Sequence, residues 1–244
     1  MSNKNSPLGF RTVGAPIRTN KYRIAAGYDK DLFLGDLVAL HEGTITKFEA
    51  VAPSVWITAT AYAEGDLVKP TTGNGRYYTC TTAGTTDTSE PTWTTSEGVT
   101  ITDGTAVWTD TGLLNACLGN IVEFVSDKGV DVDGYYPANS DDNYVAIVAD
   151  APNQLLIAQD DGDGVVIALT DIGKTGIPIS STAGNIITNL SGMEIDMSSI
   201  SGADQSPTDP LILIDLVDAP DNALGDFAEW IVGINNHYFK PIIA

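Results

Sequence analysis

Residues 210–238 read PLILIDLVDAPDNALGDFAEWIVGINNHY. Residues 211–217 form an apolar run of strand length with β-branched members, closed by the turn cluster Asp218-Ala219-Pro220-Asp221-Asn222. A short apolar run bounded by turn residues predicts a buried strand. Beyond the turn, Ala228, Trp230, Val232 and Ile234 fall on one side, while Glu229, Gly233, Asn235 and His237 alternate with them and Ile231 breaks the polar side. Period two predicts a second strand with one buried face. Two such strands make a unit on which a β core closes, expected to pair with segments about 150 residues away. The predicted fold is therefore β-rich and dominated by non-local pairing.

Composition agrees with that class. The chain has 244 residues, enough to bury a core in one large or two small domains, and two are expected. Charged residues make up only 18%, and the Lys/Glu runs of helical proteins are missing, which favours all-β structure. The net charge of -20 argues against nucleic acid as a partner, because phosphate binding needs a basic surface. No apolar stretch of about eighteen residues and no apolar leader occurs, so neither a membrane span nor secretion is expected. Cys80 and Cys117 lack CxxC spacing and are expected as free thiols.

The charge is uneven. Residues 1–30 carry six Lys or Arg (Lys4, Arg11, Arg18, Lys21, Arg23, Lys30) against one acid, Asp29. A basic arm on an acidic body suggests a segment that docks on an acidic neighbour, with Arg11, Arg18, Lys21 and Arg23 as contact residues. For the first ten residues a solvated tail is the alternative.

Along the chain, strands are expected at 22–26 and 31–40, with 44–51 pairing back as a hairpin after Gly43. From 55 to 112 the composition shifts to Thr, Gly, Trp and Tyr, and three of the four tryptophans fall there. The order is Trp56, Tyr62-Ala63-Glu64-Gly65-Asp66-Leu67-Val68, Gly75-Arg76-Tyr77-Tyr78-Thr79-Cys80, Glu90-Pro91-Thr92-Trp93 and Asp103-Gly104-Thr105-Ala106-Val107-Trp108. Body-type strands resume at 120–125, 144–148, 154–159 and 165–169, the last two joined by the turn Asp160-Asp161-Gly162-Asp163-Gly164. Residues 127–143 read as an acidic loop, 173–192 as turn-rich with a short strand at 186–187, and 198–209 as a loop. No long amphipathic helix is expected.

Two resemblances rest on these residues. The pattern L-x-L-I-x-L-V-D-x-P-D-N, then G-D-F-A, then a strand ending I-N-N-H-Y, is similar to the C-terminal part of head decoration (capsid cement) proteins of tailed bacteriophages. Weaker echoes occur at Tyr22-Arg23-Ile24-Ala25, Leu34-Gly35-Asp36-Leu37-Val38, Asp150-Ala151-Pro152-Asn153 and Gly192-Met193-Glu194-Ile195-Asp196. The aromatic run resembles carbohydrate-binding-like modules, related in pattern to chitin-binding type 3 modules, that recur in phage structural proteins. Body strands on both sides make it an insertion into a loop, projecting outward. The expected architecture is an all-β barrel or sandwich body, 1–53 with 114–244, carrying a small β-rich module at 54–113.

Chemical motifs are sparse. Ala168-Leu169-Thr170-Asp171-Ile172-Gly173-Lys174-Thr175 meets the loose phosphate-loop pattern, but Ala replaces the first Gly, and Gly176 with Pro178 prevents the required helix. The Asp160–Gly164 run could offer oxygens to Ca²⁺, yet the Glu wanted at the twelfth position is missing and a turn is favoured. His41 and His237 have no ligand partners at metal spacing, and no nucleophile motif occurs. No catalytic residue, metal or cofactor is expected. The sharpest binding candidates are Trp56, Tyr62, Tyr77 and Trp93, whose rings could stack on sugars, set against the alternative that they form the core of a small module.

The resemblance implies a virion protein, made in the host cytoplasm, that binds the major capsid protein on the outer capsid surface as a trimer and stabilises the shell, with a module that meets glycans. A tail or fibre adsorption protein binding host polysaccharide is the alternative, and a polysaccharide-acting enzyme is the third possibility.

Overall fold

The computed structural model describes residues 3–127, 132–140, 144–200 and 205–240. Four strands precede residue 50: β1 (Arg11–Thr12), β2 (Thr19–Ile24), β3 (Leu37–His41) and β4 (Thr44–Lys47). Seven lie within 51–115: β5 (Ser54–Val55), β6 (Ala61–Tyr62), β7 (Leu67–Lys69), β8 (Arg76–Thr82), β9 (Gly84–Thr85), β10 (Thr100–Asp103) and β11 (Ala106–Leu113). The rest are β12 (Gly119–Ser126), β13 (Tyr144–Ala149), β14 (Leu155–Gln159), β15 (Thr175–Ile179), β16 (Glu194–Asp196), β17 (Leu211–Leu216) and β18 (Glu229–Ile234). The chain is all-β; the only α-helix among the described residues is the single turn α1 (Met197–Ile200). The described residues divide into two compact units, one from residues up to 50 together with those from 116 onward, the other from 51–115.

The first unit holds a closed barrel, one of the two architectures expected of the body, together with an open sheet. β12-β13-β2-β4-β3 close a barrel, and β1-β14-β18-β17-β15-β16 form a six-stranded sheet. β17 and β18 stand in the middle of that sheet as an antiparallel pair, Leu211 opposite Ile234, with a bulge between Leu213 and Asp215. Ala228, Trp230, Val232 and Ile234 are all buried, as the period-two pattern requires. They pack with Leu156, Ala158, Ile195, Leu211 and Leu213, and with Phe10, Leu37 and Cys117. The barrel has its own filling: Leu32, Val38, Ile45, Leu118, Ile121, Tyr136, Tyr144 and Val148. Gly119 sits where the barrel closes, and a Cβ there would lie 2.0 Å from the Ala149 carbonyl oxygen, so only glycine admits that approach.

Several expectations change. The hairpin's partners, β14 and β15, are much nearer in sequence than expected. Residues 165–169 form no strand, because β1 and β18 already occupy both edges of β14 and leave none for a hairpin. Residues 186–187 form no strand either; they cap a tight turn in which Asn185 Oδ1 accepts the N–H groups of Ile187 (2.8 Å) and Thr188 (3.1 Å). The phosphate-loop pattern holds a 3-10 turn at Leu169–Asp171 and then enters β15, so no helix opens from it. The basic arm is not a free arm: β1 and β2 build it into the sheet and the barrel, and Phe10 is fully buried. Nor are the described residues before Phe10 a loose tail, since Asn3 bonds to Ala223 and Asp226, and Gln159 holds both Lys4 and Ser6. Of the acidic loop at 127–143, residues 128–131 and 141–143 lie outside the described residues, as do 201–204 of the later loop.

The second unit is a five-stranded sheet, β10-β11-β8-β7-β5, with the two-stranded β6-β9. Along β11 the burial alternates strictly, placing Ala106, Trp108 and Asp110 inside. Its core is Trp56, Val68, Tyr78, Cys80, Ala106 and Trp108, with Tyr62, Trp93 and Ile101 packed against it. A unit this small cannot fill an interior with aliphatic layers, and aromatic rings, each burying 150–250 Å², supply the area instead.

Candidate functional site

Every sequence-predicted aromatic candidate lies in the 51–115 unit, where one carboxylate takes the indole N–H groups of Trp56 and of the core residue Trp108. Asp103 ends β10, is 2% exposed, and its Oδ2 accepts the indole N–H of Trp56 (2.8 Å) and of Trp108 (3.0 Å). Its Oδ1 accepts the Asp87 N–H at 2.8 Å. A buried carboxyl is tolerable where several N–H donors converge on it. Tyr62 meets Trp108 edge to face, 5.0 Å between centroids, and its hydroxyl oxygen accepts the Ile57 N–H. Trp93 lies 4.3 Å from Tyr78, with its indole N–H donated to Glu90 Oε1 at 2.7 Å. Glu90 in turn accepts the Thr71 N–H and hydroxyl; burial works to raise its carboxyl, but these bonds and that from Trp93 outweigh it and hold the group low.

The structure thus brings Trp56, Tyr62 and Trp93 into one cluster and leaves Tyr77 out of it. Trp56 is 7% exposed and offers no open face to a ring stacked from outside, a correction to its place among the platform residues. Tyr62, Trp93 and Tyr77 are half-buried and keep some surface. Tyr77 follows the opposite side of β8 from Tyr78, and burial, then the nearby Glu97 charge, push its phenol up.

The four basic candidates also separate. Arg18 donates to Asp150 Oδ1 (2.8 Å) and to the Asp150 carbonyl oxygen (2.6 Å), and it lies 5.5 Å from the Phe239 ring centroid. Arg11 is ion-paired with Glu229. Both are engaged within their own unit. Lys21 and Arg23, two residues apart on β2 and both exposed, make no ion pair among the described residues.

Asp150 was not singled out from the sequence, yet it is a hub. It is fully buried, and besides Arg18 it accepts from Asn20 Nδ2 (2.8 Å) and the Tyr22 hydroxyl (2.5 Å). Burial pulls its carboxyl up, but the bonds from Arg18, Tyr22 and Asn20 prevail and hold it below the ordinary aspartate value. Asp36 ties the barrel to the segment before β16: it pairs with Lys47 at 3.3 Å and accepts from Ser191 Oγ at 2.5 Å. Asp110 takes Arg76 Nε at 2.8 Å. These interior acids serve as cross-braces between segments distant in sequence.

Both cysteines are free and buried, as expected from their spacing; burial pushes the Cys117 thiol up to about 12. His237 is 1% exposed, its Nδ1 accepts the Phe239 N–H at 3.0 Å, and burial lowers it to about 4. Among the described residues one group of carboxylates is close-set enough to hold a metal ion: Asp161, Asp163 and Asp196. Comparison with protein-family models, with curated proteins and with solved structures finds no match to this chain.

Proposed function

We propose that the protein is a capsid cement protein: a structural virion component whose body binds the outer surface of an assembled phage shell, as a trimer on the major capsid protein. The observation that carries this proposal is that the segment resembling head decoration proteins coincides with the central β17-β18 pair, on which the body core is built. The mechanism is mass action: a ligand that binds only the assembled shell adds its binding free energy to the shell's resistance to rupture. Repetition over symmetry-related sites multiplies a modest interface. Of the four basic candidates, Lys21 and Arg23 are the two without an ion pair among the described residues, and they offer their charge to a partner. The 51–115 unit is proposed to meet glycans through Tyr62, Tyr77 and Trp93, which keep open surface.

Co-sedimentation with assembled cognate shells and with unassembled capsid subunits tests the reading. Binding to shells alone, at hundreds of copies per particle, is expected. Binding to neither, or a handful of copies at a vertex or tail, would overturn it, the latter in favour of an adsorption protein.

A further inference from the structure

The Asp160–Gly164 segment, which joins no hairpin, brings acids together. Asp160 is consumed locally: its carboxylate accepts the N–H groups of Gly162 (3.0 Å), Phe227 (2.5 Å) and Ala228 (2.9 Å). Its backbone bridges Ile195 in parallel, and the Asp161 N–H donates to the Ile195 carbonyl at 3.1 Å. This docking sets Asp161 beside Asp196, and ligand oxygens of Asp161, Asp163 and Asp196 all lie within 4.8 Å of one another. Oxygens on opposite sides of a Ca²⁺ ion are about 4.6–5.2 Å apart, twice the Ca–O distance, so the three fit one coordination sphere.

Each carboxylate keeps an oxygen for such an ion. Asp163 Oδ1 accepts the Val165 N–H, Asp196 Oδ1 accepts from Ser198 and Ser199, and Asp161 Oδ1 has only a long contact with the Met197 N–H at 3.4 Å. Among the described residues no hydrogen bond takes Oδ2 of any of the three.

A second observation is independent of the cluster. Glu194 is 2% exposed; its Oε2 accepts the hydroxyls of Ser181 (2.8 Å) and Thr182 (3.2 Å), while its Oε1 is buried with no partner. Glu194 and Asp196 flank Ile195, which faces the core, so both leave β16 on the other side, the side to which Asp161 belongs. No ion pair among the described residues neutralises any of the four. An orphaned buried carboxylate oxygen on a residue that shares its side of β16 with Asp196 is costly without a cation.

We propose that Asp161, Asp163 and Asp196 form a Ca²⁺ site, with Glu194 as the buried fourth charge behind it. Oxygen-only donors from an all-carboxylate set suit a hard cation, and irregular geometry with several protein oxygens suits Ca²⁺ better than Mg²⁺, which demands a near-ideal octahedron. The site is independent of the capsid reading, since it stands in the isolated chain.

The test is calorimetric titration of the EDTA-stripped full chain with CaCl₂ and with MgCl₂, paired with thermal unfolding. Saturable Ca²⁺ binding and a Ca²⁺-dependent rise in Tm are expected, with at least a tenfold weaker response to Mg²⁺. Asp163→Asn keeps the acceptor for the Val165 N–H and removes one charge; it should weaken Ca²⁺ binding at least tenfold without lowering Tm in EDTA. Asp196→Asn should weaken Ca²⁺ in the same way. Absence of Ca²⁺ binding at millimolar concentration overturns the site, as does binding that survives both substitutions. An equal response to Mg²⁺ overturns the assignment to calcium.

Discussion

The two units solve the problem of an interior in different ways. The body fills a barrel and a sheet with mostly aliphatic side chains from strands far apart in the chain, and uses Asp36 and Asp150 as braces between them. The 51–115 unit closes on tryptophan and tyrosine rings whose indole N–H groups are taken by two acids, Asp103 for Trp56 and Trp108 and Glu90 for Trp93. Size explains the contrast: a small sheet needs large area per residue, and each buried indole N–H then needs an acceptor. The residue types that advertise sugar binding are therefore also those that a module of this size needs in order to fold.

The comparison breaks first under core truncation. Trp230→Ala in the body and Trp108→Ala in the smaller unit should each cost about 3–5 kcal/mol, each in its own calorimetric transition. A common shift of one transition would show that the units do not unfold separately.

Next comes Asp103→Ala, which strands two buried indole N–H groups and the Asp87 N–H. A loss of about 3 kcal/mol is expected in denaturant unfolding of the 51–115 unit, and Asp103→Asn should recover part of it. A loss under about 0.5 kcal/mol would mean that the rings pack without the clamp.

In the body, two buried groups oppose each other as pH falls. Burial raises Asp160 to about 6, above its ordinary 3.8, so its contribution is present below pH 3.8 and lost as pH rises through 6. Burial lowers His237 to about 4, below its ordinary 6.5, so its contribution is present above pH 6.5 and lost as pH falls through 4. The windows overlap and the signs are opposite. His237→Gln should therefore make the body gain stability relative to wild type between pH 6.5 and 4, by about 2–3 kcal/mol, and Asp160→Asn should make it lose a similar amount. Urea titrations at both pH values check this; no difference in slope between the variants contradicts it.

The smallest stability effect belongs to the surface. Lys21→Ala with Arg23→Ala should leave the unfolding free energy within about 0.5 kcal/mol of wild type while weakening shell binding, whereas Arg18→Ala, which removes the cation paired with buried Asp150, should lower the Tm of the body.

Periodicity made β17, β18, β12, β13, β14 and the β3-β4 hairpin legible, because one buried face imprints a period of two on the sequence. It could not reveal which strand edges are already taken, so residues 165–169 look like a strand and are not. β15 was hidden by Gly176 and Pro178, residues depleted in strands, although Thr175 and Gly176 pair with β17. The aromatic set was readable as types, but not which ring faces inward: the acceptor that buries Trp56 is 47 positions away. The carboxylate group was half visible, since Asp161 and Asp163 lie in the quoted turn while Asp196 arrives only through the Asp160–Ile195 bridge.

We propose that this scaffold holds a shell together. Heating cognate capsids with and without saturating protein, and following rupture by genome release, tests it most directly. A rise in rupture temperature that scales with occupancy is predicted; an unchanged rupture temperature at full occupancy would contradict it.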